Sequence, residues 1–152
     1  MKFALLLVLL VLAAALVWVR AAPSDPARWH VDPGAAPDPG DGGVRLKPGD
    51  PGNPLRAASP AELLNAFDAA LRAEPRITRL AGSAEEGQVT YIARSRLMGF
   101  PDYITVKAAA VEGGTGLWLY SRLRFGKSDM GVNRARSERV LERLDAILKG
   151  QG

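Results

Sequence analysis

The sequence predicts an α+β fold. It is an antiparallel four-stranded sheet with two helices on one face, in the order α-β-β-β-β-α, preceded by an N-terminal hydrophobic helix and a Pro/Gly-rich linker. Three observations predict it. Apolar residues recur at helical spacing in two segments, 59–74 and 132–148. Between them lie stretches of alternating apolar and polar residues, joined by short Gly-containing turns. A charge-free run then stands alone at the N-terminus, apolar on every face.

That run follows Lys2 and extends seventeen residues, Phe3 to Val19, before Arg20. At about 1.5 Å per helical residue it reaches roughly 25 Å, the short end for a membrane crossing. Residues 1–22 therefore read as a signal anchor or a signal peptide. An anchor would keep Trp18 at the interface and Arg20 just beyond it. A signal peptide would be cut near Val19-Arg20-Ala21. With Lys2 and the amino terminus inside, either reading exports the rest. The expected location is the bacterial inner membrane, single-pass through residues 3–19 with the domain in the periplasm, or release to the periplasm after cleavage.

Residues 23–58 read as a linker. They hold eight of the eleven prolines, six glycines and one aromatic, Trp29. Asp32-Pro-Gly, Asp38-Pro-Gly-Asp-Gly-Gly and Lys47-Pro-Gly-Asp-Pro-Gly are successive turn signals. Such a composition buries too little apolar surface to offset its own ordering entropy. The expectation is a tether, docked if anywhere at Trp29-His30-Val31, with His30 solvated or stacked.

The folded domain occupies 59–150. Ser59-Pro60-Ala61-Glu62 is a capping box with proline at the first helical position. Leu63, Leu64, Phe67, Ala70 and Leu71 then form one apolar face, and Glu74-Pro75 ends the helix. Strands are predicted at Arg76–Ala81, Gln88–Leu97, Tyr103–Val111 and Leu117–Phe125. The second places Val89, Tyr91 and Ala93 on one side, with Thr90, Ile92, Arg94 and Arg96 on the other. The fourth sets Leu117, Leu119 and Leu123 against Trp118, Tyr120, Arg122 and Arg124. If the leucines meet the helices, the aromatics and arginines form an open outer face. Val132, Val140, Leu141, Leu144, Ile147 and Leu148 line the last helix.

The totals exclude several kinds of chemistry. There is no cysteine and a single histidine, His30, so thiolate nucleophiles, Cys-type zinc sites and multi-histidine metal sites are absent from one chain. No cofactor, metal site or catalytic residue is expected. No P-loop, Gly-x-Ser-x-Gly or dinucleotide fingerprint occurs. The net charge of +4 favours anionic partners. Nucleic acid is not expected as a partner of an exported chain that lacks an RNA-recognition motif.

At Ser121-Arg-Leu-Arg-Phe-Gly-Lys-Ser-Asp-Met-Gly-Val-Asn-Arg-Ala-Arg136 the chain resembles the bacterial and plastid family catalogued as domain of unknown function 1499. Gly126, Ser128, Asp129, Gly131, Val132, Asn133, Arg134 and Arg136 match that family's Gly-x-Ser-Asp-x-Gly-Val-Asn-Arg-x-Arg run. Phe100-Pro-Asp102-Tyr103 resembles its Phe-x-Asp-Asp element, with Tyr in place of the second Asp. The resemblance covers roughly 59–148. It implies an α+β domain, exported or membrane-attached, and no known activity.

Three readings of the corner remain open. In the structural one, Ser128, Asp129 and Asn133 cap the helix, and Arg122 or Arg134 pairs with Asp129 or Asp102. In the second, Arg122, Arg124, Lys127 and Arg134 converge on the helix start as an anion site, the partner being an anionic small molecule, a lipid headgroup or another envelope protein. In the third, the protein is a hydrolase of unknown substrate using Ser128 and Asp129 without histidine. The expected role is a non-catalytic binding or structural module.

Overall fold

The computed structural model describes residues 1–150. In chain order the elements are α1 (Lys2–Ala21), α2 (Pro26–Trp29), β1 (Val44–Leu46), α3 (Pro60–Arg72), β2 (Ile77–Ser83), β3 (Gln88–Arg94), β4 (Pro101–Val111), β5 (Gly114–Leu123) and α4 (Val132–Leu148). The α+β class is as expected, and the sheet is antiparallel throughout. It has five strands rather than four, in the order β1-β5-β4-β3-β2.

The extra strand is β1, inside the segment read as a linker. It pairs Val44 with Ser121 and Leu46 with Leu119. Three residues between Gly42-Gly43 and Lys47-Pro48 are too few to show an alternation, so pairing to β5 alone defines the strand. A Cβ at Gly42 would lie 2.4 Å from Leu123 Cδ1 and 3.2 Å from Asp129 N, so a larger residue there would displace the Leu123 side chain. The rest of the segment is tied down as well. Asn53 Nδ2 donates to Lys47 O at 2.9 Å and to Leu117 O at 2.7 Å. Buried Arg56 donates through Nε to Asp145 on α4 at 2.8 Å.

Helix α3 starts as its sequence dictates. Ser59 and Glu62 form a reciprocal capping box, and Pro60 opens the first turn. Its apolar face packs with Val140, Leu141 and Leu144 of α4 against Val89, Tyr91, Ala93, Ile104, Val106, Leu117 and Leu119 of the sheet. The sides predicted for Val89, Tyr91, Ala93, Leu117 and Leu119 are the observed ones. Tyr91 is buried, and its hydroxyl donates to Asp68 of α3 at 2.8 Å. Burial and that carboxylate push the phenol well above its ordinary pKa. Val132, expected on the inner face of the last helix, is exposed, because the helix begins there before it reaches the sheet. Strand β3 stops at Arg94, and Arg96-Leu97-Met98 lie in the loop before β4.

The expectation of an open outer face is overturned. Residues 22–36 lie across it. Trp29 is 8% exposed and stacks on Tyr103 with ring centroids 3.8 Å apart and planes 10° apart. Ile92 and Leu80 complete that small second core. The segment is ordered by apolar surface on the sheet rather than by its own composition. Tyr120 and Arg122 are consequently buried.

Candidate functional site

The matched run lies where β5 leaves the sheet and α4 begins. Met130 (φ 56°) and Gly131 (φ 83°) both adopt left-handed backbone, which turns the chain into the helix. Ser128 Oγ accepts from Met130 N at 3.3 Å. The Asp129 carboxylate accepts from Gly131 N at 3.0 Å and from Asn133 N. Asp129 therefore accepts hydrogen bonds from the first turn of α4 from outside the helix, which begins after Gly131.

Asn133 acts differently from a cap. It is 1% exposed, and every hydrogen-bonding position of its side chain is used. Its Nδ2 donates to Gly42 O at 3.0 Å and to Asp102 Oδ2 at 3.2 Å. Its Oδ1 accepts from Ser121 Oγ and from Arg136 Nη1, both at 2.9 Å. Ser137 Oγ donates to its backbone carbonyl at 2.8 Å. One amide thus ties the turn before β1 to β4, β5 and α4.

Asp102 and Arg136 are both buried in this network, with Asn133 between them. Burial pushes the Asp102 carboxyl up to about 6, opposed by the charge of Arg136 and the hydrogen bond from Asn133. Burial also lowers the Arg136 pKa, against the pull of Asp102. The consequence is a pH dependence. An unfolded aspartate ionises near 3.9. Between about pH 4 and pH 6 the folded Asp102 still holds a proton that the unfolded chain has lost. Stability therefore falls as pH rises through that window and levels off above it, by about 2–3 kcal/mol for this group. The lowered carboxylates Asp68 and Glu74 contribute the opposite slope at lower pH, so the difference between wild type and Asp102→Asn isolates the effect. Denaturant melts from pH 4 to 7 should show the Asp102 slope in wild type and none of it in the variant.

The arginines do not gather at the start of α4. Arg122 points to the opposite sheet face. It donates through Nη2 to Trp29 O and through Nη1 to Thr105 Oγ1 at 3.3 Å, and it lies 4.6 Å over the Tyr120 ring. No carboxylate pairs with it among the described residues. Burial lowers its pKa. Arg124 donates to Pro23 O and to the Tyr103 hydroxyl, both at 3.0 Å. Lys127 is exposed in the turn. Arg134 is exposed and lines a groove of about 300 Å³ beside Glu138 and Leu141 of α4. The expected pairing of Arg122 or Arg134 with Asp129 or Asp102 is absent among the described residues, because strand alternation sends Arg122 away from the helix.

His30, expected to be solvated or stacked, is half-buried in a hydrogen-bond chain. Its Nδ1 meets Thr90 Oγ1 at 2.9 Å, and Thr90 Oγ1 meets Thr105 Oγ1 at 2.9 Å. Thr105 donates onward to Trp29 O at 3.4 Å, while Gln88 Nε2 lies 3.4 Å from His30 Nε2. Donors run in one direction if His30 is neutral with its proton on Nδ1. The hydrogen-bond chain of His30 was not foreseen, whereas the segment does dock at Trp29, one of the residues named for it. The one signal was a lone aromatic in a Pro/Gly-rich segment. Among the described residues no group of three His, Asp or Glu side chains is placed to hold a metal.

Fold and corner together define a class: a small α+β domain with two helices on one sheet face, carried behind a long apolar helix. The chain belongs to the family described as protein of unknown function (DUF1499), whose model matches residues 19–144. The match begins well before residue 59, so it includes the segment packed on the sheet. Among solved structures, protein MLL2253 from Mesorhizobium loti is similar in fold, with a TM-score of 0.51 at 11% identity over 72% of this chain and 98% of that one. Ara h 8.0201 is more distant, with a TM-score of 0.38 at 12% identity over 72% of this chain and 99% of that one. No curated protein matches the chain.

Proposed function

We propose that this is a membrane-tethered, non-catalytic module of the bacterial envelope, with α1 retained as its anchor and the domain held on the periplasmic side. One observation carries the reading: the end of α1 is fastened to the domain. Arg20 donates to Leu97 O at 3.0 Å and to Met98 O at 3.2 Å. Trp18 meets the Phe125 ring edge-on at 6.1 Å. Ala22 is buried, and Ser24 Oγ lies 2.7 Å from the Tyr103 hydroxyl. Cleavage near Arg20-Ala21 would remove the Trp18 and Arg20 contacts and free the end of the segment that covers the sheet. The helix is 20 residues long and exposed along nearly all its length. At about 1.5 Å per residue it measures roughly 30 Å, the thickness of a bilayer core.

The Asp129–Asn133 corner supports a structural role, since each of its polar groups serves the fold. The hydrolase reading gains nothing from the geometry. Ser128 and Asp129 face backbone N–H groups of the following turn. The test is the intact mass of protein purified from membranes, together with alkaline carbonate extraction. We expect a chain that keeps residues 1–22 and stays with the membrane after extraction. A mass lacking those residues, with the protein in the soluble fraction, would overturn the reading.

A further inference from the structure

We propose that the sheet end beside α1 is a membrane-docking surface that lies on anionic lipid headgroups of the leaflet from which α1 emerges. The proposal rests on the reading of α1 as an anchor and adds to it a second, separate contact with the bilayer.

The topology brings two loops to that end. Strand β3 ends at Arg94 and β4 begins at Pro101, its pairing partner, so residues 95–100 turn there. Strand β5 ends at Leu123, opposite Asp102, so residues 124–131 turn beside them. Both loops reach the last turn of α1: Arg20 bonds to the first, and Trp18 packs on Phe125 of the second. Phe100 joins Phe125 at 5.9 Å, which makes the aromatic cluster continuous from the helix to both loops. Tryptophan at such a position is the residue type that settles at the headgroup level.

What these loops show to solvent is unusual for a soluble surface. Leu97 is 81% exposed, Met98 41% and Met130 96%. Cations surround them. Arg76, Arg94, Arg96, Arg124 and Lys127 lie at this end, and none is in an ion pair among the described residues. Six other cations of the domain do form ion pairs. The opposite sheet end carries Glu85, Glu86 and Glu112 in its hairpin turns. The loops beside α1 thus carry five cations outside ion pairs alongside the carboxylates Asp41 and Asp129, whereas the charged side chains of the hairpin turns at the other end are all acidic. Apolar tips flanked by cations match an interface whose acyl boundary lies beneath negative phosphates, and each basic residue near such a surface adds attraction. Because α1 holds the loops beside the bilayer, even a weak contact acts intramolecularly.

The chain has no cysteine, so single-cysteine variants of the full-length protein take one spin label each. Leu9→Cys, Leu97→Cys, Met130→Cys and Glu112→Cys would be reconstituted in phosphatidylcholine vesicles, with and without phosphatidylglycerol. Collision with oxygen against a water-soluble nickel chelate reports immersion. We expect Leu97 and Met130 labels to favour oxygen strongly in the phosphatidylglycerol vesicles, and less in phosphatidylcholine alone. Glu112 should stay accessible to nickel in both. The double change Arg96→Glu with Lys127→Glu should return the Leu97 and Met130 labels to nickel, at an unchanged melting temperature. Labels at Leu97 and Met130 that behave like the one at Glu112 overturn the proposal. Immersion independent of phosphatidylglycerol overturns the role of anionic lipid. The Leu9 label tests the anchor separately: if it is immersed while the loops are not, the tether stands and the docking surface falls.

Discussion

Asn133→Ala lowers the stability of the domain by about 3–5 kcal/mol, one of the two largest effects expected of a single substitution in it. The truncated side chain takes four hydrogen bonds with it and leaves Gly42 O, Asp102, Ser121 and Arg136 without that partner. Two of those groups are buried and ionisable, and water has little access to replace the amide. The loss is therefore closer to breaking a buried charge network than to deleting one neutral hydrogen bond. Heat denaturation should move down by on the order of 10 °C. Arg134→Ala, one residue away in the same motif but exposed, should stay within about 0.5 kcal/mol. Urea melts of the two variants decide the matter. Equal midpoints would contradict the hub role of Asn133.

Trp29→Ala costs a similar amount, about 3–5 kcal/mol, by a different route. It empties a stacked contact on Tyr103 and uncovers Ile92 and Arg122. Arg122 loses the ring it packs beneath, and the carbonyl it donates to becomes mobile. The segment from Ala22 to Ala36 then loses its one large apolar contact and keeps only polar ties to the sheet, among them Asp32–Lys107, His30–Thr90 and Arg124 to Pro23 O. Limited trypsin digestion should cut at Arg28 and Arg45 in the variant at conditions where wild type resists. Trp29→Phe retains an aromatic face for Tyr103 and should keep most of the protection. Unchanged digestion in Trp29→Ala would show that the other contacts of the segment suffice to hold it.

Local chemistry made much of the fold legible. The capping box fixed the start of α3 at Ser59-Pro60, and alternation assigned Val89, Tyr91 and Ala93 to the helix side. The turn run located the corner, and Asp129 was readable as a cap. The remainder depended on partners far away in the chain. Val44–Leu46 is a strand only because β5 offers an edge. The proline-rich segment looked unable to order itself, and alone it would be; Tyr103 supplies the apolar surface it lacks. Asn133 resembled another helix cap because its partner Gly42 lies 91 residues away. Arg122 was expected to seek a carboxylate. It found a carbonyl and two aromatic faces instead, which a charge count does not reveal.

The bonds from Arg124 to Pro23 O, from Arg122 to Trp29 O and from Asn133 to Gly42 O span 101, 93 and 91 residues. Each joins the beginning of the domain to its end. During synthesis, the segment that covers one sheet face therefore emerges long before the strand it must cover. Closure of such long loops is the slow, entropically costly part of folding. A nascent chain can form the β2–β3 and β4–β5 hairpins early, yet the face under Trp29 needs Arg122 and Arg124, and the other face cannot close until α4 has appeared. Folding of this domain is thus completed from its C-terminal end, long after its N-terminal helix has been made.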